Sequence, residues 1–275
     1  MVSYQFGASL AKHLFPIVGA EGATAYRLGL SALMLLLWRR PWRSWPAKKD
    51  WRVLWGYGLA IGAMNFVFYM SLRTIPLGIA VALEFTGPLT LALTHSRRLV
   101  DFVWTGLVIV GLALLLPVHH LDKPLDPVGV AFALAAGVGW ALYIILGRRA
   151  GAAWGSSAVS WGIAIGALVT LPIGFAHAGA AMLSLDLLPY AIGVAVLSSA
   201  LPYSLEMLAM TRMSTRTFSV LLSLEPAIAA IAGFTLLSER LGPLQWLAIA
   251  AIVAAAAGTA LSARPASNDE PLPIG

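Results

Sequence analysis

Cysteine is absent from the 275 residues. That excludes disulfide frameworks, thiolate catalysis and Cys-ligated metal sites, and it leaves the redox compartment undetermined. Charge is scarce as well. Asp, Glu, Lys and Arg make up 11% of the chain, against about 25% in a soluble domain. Phosphate-cradling loops, dinucleotide glycine motifs and nucleophile elbows are missing, so ATP-driven transport and the common hydrolase chemistries have no support. The five histidines are scattered; His119 and His120 adjoin without carboxylate partners at ligand spacing, so neither a metal nor any other cofactor is expected.

What is present is apolar: 59% hydrophobic residues and a mean hydropathy of +0.83. A membrane-crossing helix needs about 20 mostly apolar residues. The long runs lack period-2 alternation, so the spans are helical and the fold is an all-α membrane protein. Ten segments emerge: Val2 to Val18, Ala23 to Trp38, Val53 to Leu72, Leu77 to Thr94, Phe102 to Pro117, Val128 to Gly147, Ala158 to Phe175, Leu188 to Met210, Phe218 to Leu237 and Leu244 to Leu261. Turn chemistry or charge separates them, including Arg39 to Arg52, Arg148 to Gly155 and Thr211 to Arg216.

Sorting the 18 Lys and Arg residues by the side each loop must occupy gives a lopsided result. Thirteen fall on one side, from Arg39 and Arg40 through Arg97, Arg98, Arg148 and Arg149 to Arg264. Arg73, Lys123 and Arg240 fall on the other, and Lys12 and Arg27 lie within helices. The positive-inside rule makes the thirteen-residue side cytoplasmic, with both termini there. Charge that follows loop parity, and not one folded face, argues against nucleic-acid binding despite the net charge of +6. Trp38, Trp42, Trp45, Trp51 and Trp55 surround the first cytoplasmic loop as interfacial anchors among the membrane lipids.

The two halves share landmarks. At one constant offset Asn65 falls on Glu206 and Glu84 on Glu225; each of those paired glutamates follows a Leu and precedes Pro88 or Pro226. Five crossings per half is an odd number, so the second copy is inverted, the common architecture of secondary transporters. The expected organisation is repeat 1 over 1–118, a periplasmic linker over 119–127, repeat 2 over 128–263 and a disordered cytoplasmic tail over 264–275. Tyr4 to Lys12 matches Trp140 to Arg148, yet only three residues precede Tyr4, so helix one is truncated. The expectation is a start downstream of the natural one, since no basic n-region or cleavage site marks a signal peptide.

Charged groups at mid-membrane depth are costly and face a cavity or a partner. Glu84, Glu206 and Glu225 qualify, with Lys12 and Arg27 as cations and Asn65 related to Glu206 by the repeat. Pro88, Pro202 and Pro226 interrupt apolar runs and free carbonyls, which serve either as substrate contacts or as plain kinks. Tyr203 and Glu206 share a helical face, Ser204 lies between them, and Asn65 and Tyr69 share another. Such a set would make an aromatic-walled site with a few polar points. Gly58/Gly62, Gly147/Gly151 and Gly162/Gly166 read as close helix contacts.

The strings LGIAVALEFTGPL (Leu77 to Leu89), SRRLVDFVW (Ser96 to Trp104), ALPYSLEM (Ala200 to Met207) and TRTF (Thr215 to Phe218) resemble those of the bacterial threonine/homoserine exporters. That family lies within the drug/metabolite transporter superfamily, whose members of this type carry two EamA-type repeats. The likeness runs to about Arg264 and implies a non-enzymatic inner-membrane carrier for small amino acids, with ten helices. Desolvated ammonium and carboxylate groups each need an opposite charge or dipole. The expected substrate contacts are therefore Glu206, with Glu84 or Glu225, for the ammonium, and Lys12, Arg27 or a broken-helix N-terminus for the carboxylate. Asn65, Tyr69, Tyr203 and Ser204 are left for hydroxyl and backbone-like atoms. A buried glutamate would carry the proton if export is proton-coupled. Other cargoes (aromatic amino acids, metabolites or drugs) and two other classes, an intramembrane enzyme and a non-transporting sensor, are the alternatives.

Overall fold

The computed structural model describes residues 2–43, 50–94, 99–115, 125–155, 157–212 and 222–262. These residues are helical almost throughout: α1 (Val2–Lys12), α2 (Phe15–Arg39), α3 (Trp51–Ser71), α4 (Leu77–Thr94), α5 (Leu99–Leu115), α6 (Pro127–Trp154) and α7 (Ser157–Ala178). There follow α8 (Leu188–Ala195), joined through a π turn (Val196–Ala200) to α9 (Leu201–Arg212), then α10 (Glu225–Leu237) and α11 (Pro243–Ser262). Since α8, the π turn and α9 form one continuous rod, the described residues build ten rods. Trp51–Ser71, Pro127–Trp154, Ser157–Leu183 and Leu185–Glu206 are long and apolar enough to cross a membrane by length and composition. The remaining rods are shorter or carry charge.

Burial is inverted relative to a soluble protein. Leu37, Val103, Val138 and Leu168 are each more than half exposed, while Arg27, Asn65 and Glu84 are buried. A bilayer solvates the first group and excludes the second, so this is a multi-pass membrane protein.

Helix packing has a twofold pattern. α2 packs on α7, α4 on α10 and α5 on α11; α3 packs on α6 and α7, as the α8–α9 rod does on α1 and α2; α4 packs on α6, as α10 does on α1. Exchanging each rod with the one five places on maps these pairings onto one another, as expected of two five-helix halves facing each other. At the α3–α7 crossing Gly58 and Gly62 lie against Gly162 and Gly166, and a Cβ on Gly62 would come within 3.1 Å of the Gly166 Cα. Gly147 instead makes room for Tyr57, and no described residue comes within 4 Å of a Cβ on Gly151. Gly87 and Gly137 bring α4 and α6 into backbone contact: a Cβ on Gly87 would overlap the Gly137 carbonyl.

Several boundaries differ from those expected. The first segment does not run to Val18; α1 stops at Lys12, because Pro16 has no N–H to offer the Lys12 carbonyl. Residues from Phe15 join the next rod across Gly19, whose φ of 69° and ψ of 177° only glycine adopts readily. Arg148 to Trp154 is helix and not a break: Arg and Ala favour it, and it stops at Gly155 with φ 55°. Of the segment expected from Phe218, residues 218–221 lie outside the described residues, and Glu225–Leu237 is helical with Pro226 in the first turn. Most of the 119–127 linker, Ser96 to Arg98, Trp45 and the 264–275 tail lie outside the described residues.

Candidate functional site

Arg27 on α2 is completely buried. Its Nε donates to Ser199 Oγ at 2.8 Å, its Nη2 to the Ser198 carbonyl at 2.7 Å, and its Nη1 to the Tyr4 hydroxyl at 3.4 Å. The rings of Tyr4 and Tyr69 flank the guanidinium, with centroids 4.7 and 5.2 Å from its carbon. The backbone explains this anchorage. Pro202 lacks the N–H that would bond the carbonyl four residues earlier, which is Ser198, and the chain relaxes into the π turn at that point. Ser31 Oγ, one turn along α2, donates to the Ala195 carbonyl at 2.9 Å and ties the same two rods again. Among the described residues Arg27 forms no ion pair, and two of its five N–H groups remain uncommitted.

The acidic pole is built by α4 and α10. Glu84 and Glu225 are both buried and lie within electrostatic reach of each other, and Glu84 also within that of Arg27. Pro88 leaves the Glu84 carbonyl without its helical donor, and that carbonyl packs on Gly137. Gln5 on α1 is completely buried and donates from Nε2 to Glu225 Oε1 at 3.3 Å.

A polar and aromatic wall completes the cluster. Asn65 Nδ2 donates to the Ile61 carbonyl at 2.8 Å and to the Tyr203 hydroxyl at 3.2 Å. Tyr203 leans on Tyr143 at 5.8 Å between centroids, and Tyr143 stacks on Tyr57 at 5.4 Å. Half-buried Glu206 lies one turn beyond Tyr203, within electrostatic reach of Tyr57, Tyr143 and Glu225. Four buried atoms of this region have no hydrogen-bond partner among the described residues: Gln5 Oε1, Asn65 Oδ1, the Tyr69 hydroxyl and Ser204 Oγ. In a dry interior such atoms are costly unless something occasionally satisfies them.

Arg27, Glu84, Glu225, Asn65, Tyr69 and Tyr203 are thus brought together, with Ser204 and Glu206 at the margin. Lys12 is not among them. Its Nζ pairs with Glu239 Oε1 at 2.6 Å, while Glu239 Oε2 accepts from the Leu77 N–H at 2.8 Å, so one carboxylate clamps α1, α4 and the end of α10. At the same end Arg73 reaches Glu21 Oε1 at 3.3 Å, and His177 Nε2 lies 3.6 Å from Glu21 Oε2. At the opposite end Trp154 Nε1 donates to the Asp50 carbonyl at 3.2 Å. Loops of one parity meet at one end, as alternation of ten helices requires. Sequence reasoning missed Tyr4, Gln5, Ser198, Ser199 and Tyr143; Gln5 carried a signal, an amide inside an apolar run, of the kind that marked Asn65.

The chain is 52% identical over 274 residues to Threonine/homoserine exporter RhtA of Escherichia coli (strain K12), covering 100% of this chain and 93% of that protein. It is 52% identical over 264 residues to the protein of the same name from Salmonella typhimurium (strain LT2), covering 96% and 90%. Residues 127–261 match the EamA-like transporter family. This chain belongs to the EamA-like transporters. A crystal structure 17% identical in sequence superposes with a TM-score of 0.60 over 94% of both chains and shares the fold. The chain is a non-enzymatic carrier and not an intramembrane enzyme.

Proposed function

We propose that this transporter exports a small zwitterionic amino acid, threonine or homoserine, across the bacterial inner membrane by alternating access, with both termini in the cytoplasm. The observation that carries this reading is a buried guanidinium without an ion-pair partner among the described residues, within electrostatic reach of the buried Glu84, which is itself within reach of the buried Glu225. A zwitterion supplies the two missing partners at once. Its carboxylate takes the uncommitted N–H groups of Arg27, and its ammonium takes Glu84 and Glu225. Asn65, Tyr69, Tyr203 and Ser204 are left for neutral polar atoms of the cargo, and Glu206 passes the ammonium between the cluster and the cytoplasmic side. The names of the relatives support the choice of threonine and homoserine.

In this reading residues 1–118 and 128–263 are the two inverted repeats, and the Lys12–Glu239–Leu77 clamp closes the periplasmic end. A proton exchanged against the amino acid would ride on one of the three glutamates. Counterflow of labelled threonine in proteoliposomes, against a panel of unlabelled amino acids, tests the substrate. Threonine and homoserine should exchange and larger aromatic amino acids should not. Exchange by tryptophan but not threonine would favour an aromatic cargo against the walls of Tyr57, Tyr143 and Tyr203. Flux indifferent to an imposed pH gradient would exclude proton exchange.

A further inference from the structure

Among the described residues Gln5 is the one amide that bonds the acidic pole directly. It is completely buried, its Nε2 bonds Glu225 Oε1 at 3.3 Å, and its Oε1 has no partner among them. The orientation of the amide follows from that bond, since only the nitrogen can donate to a carboxylate. The free atom is therefore an acceptor, held beside Glu225 by the amide's own geometry. One turn along α1, Ser9 is also buried with its Oγ unpartnered, so this face of α1 is polar where an apolar stripe would pack better. Resting on the amino-acid reading above, we propose that Gln5 is a specificity-determining residue that accepts a hydrogen bond from the hydroxyl of the cargo's side chain.

Charge assigns the donors. The ammonium goes to the carboxylates, where a charge-assisted bond is roughly twice as strong as a neutral one. That leaves the hydroxyl as the remaining donor for a neutral carbonyl oxygen. In threonine the ammonium and hydroxyl sit on adjacent carbons, and the Glu225 carboxylate and Gln5 oxygen are adjacent acceptors. Homoserine, with its hydroxyl one carbon further out, remains within the same polar strip. A site built to bond a hydroxyl rejects the analogue lacking it, because the buried acceptor is then left bare.

The test is selectivity between isosteres. Uptake of labelled threonine and of labelled valine is measured in proteoliposomes of wild type and of Gln5→Met, which keeps the volume and removes the acceptor. Wild type should prefer threonine by at least ~10-fold, and Gln5→Met should compress the ratio to about threefold or less, whatever happens to the absolute rates. Equal loss of both fluxes with the ratio preserved would make Gln5 a mere prop for Glu225 and overturn the proposal. If Gln5→Met does not insert, Gln5→Asn carries the same test, since the shorter amide withdraws the oxygen; a ratio within twofold of wild type overturns the proposal there as well. Absence of threonine flux in wild type marks failure of the cargo reading, whereas normal threonine flux with an unaltered ratio marks failure of the Gln5 assignment alone.

Discussion

Replacing Arg27 by Met separates a structural role from a functional one. In the folded protein the guanidinium makes two strong hydrogen bonds, at 2.8 and 2.7 Å, and lies against two tyrosine rings. Two bonds to a charged group contribute about 3–6 kcal/mol, and each cation–π contact about 0.5–2 kcal/mol. Against them stands the burial of an ion without a counter-ion in contact, which costs several kcal/mol even after relaxation. The opposing sums are of one size, so Arg27→Met should change stability by no more than about 2 kcal/mol. Transport has no such offset. Removing one partner of a buried charge pair costs about 2–5 kcal/mol, which is roughly 30-fold to several thousand-fold in affinity for the carboxylate-bearing cargo. Threonine uptake in proteoliposomes reads the second quantity, and thermal unfolding of the detergent-solubilised protein reads the first. A variant that unfolds tens of degrees early would make Arg27 a structural pin. One that transports within threefold of wild type would remove it from the carboxylate station.

Three further expectations follow from the same geometry. Glu206→Gln should lower threonine uptake at least ~10-fold, mainly through affinity, because a half-buried carboxylate in line with Tyr203 is replaced by a neutral amide; unchanged uptake would exclude Glu206 from the path. Gly87→Ala should destabilise by ~3 kcal/mol or more, a fall of roughly 6–12 °C in unfolding temperature, since the added methyl meets the Gly137 backbone and not a side chain that can swing away; an unshifted transition would show that α4 and α6 can separate freely. Asp126 caps α6, accepting from the Val128 and Gly129 N–H groups at 3.2 and 3.1 Å. The Thr74 hydroxyl, and then those N–H groups, hold its carboxyl below the usual carboxylate range. A depressed value means the cap's contribution is complete above the unfolded-state value and is lost as pH falls through the folded one. Hydrogen exchange at Val128 and Gly129 should therefore quicken only below about pH 4; protection independent of pH down to 2 would contradict it.

The parts legible in the sequence were those dictated by solvent and parity. Long apolar runs without alternation can only be spanning helices, and Glu84, Glu225 and Arg27 were conspicuous because a charge in hydrocarbon needs a reason. Asn65 and Tyr203 were each flagged, and the structure joins them by a hydrogen bond. What stayed hidden depends on pairings between distant positions. The link from Arg27 to Ser198 and Ser199 crosses more than 170 residues, and no local pattern distinguishes those serines from helix-packing ones. Lys12 looked like the other intramembrane cation, but Glu239 lies where α1 and α10 meet and claims it. Pro16 was the signal that would have placed the end of α1; hydropathy alone smoothed over it.

The π turn has one consequence for how the two halves communicate. A proline in α9 withholds a proton from a carbonyl, and a side chain from α2 fills the vacancy. Restoring that proton by Pro202→Ala would bring a backbone donor to the carbonyl oxygen that the guanidinium now holds. One of the bonds that hold the cation would then be weakened, although no atom of its own had been altered. An imino ring on one rod thus acts as a detent for the charge on another.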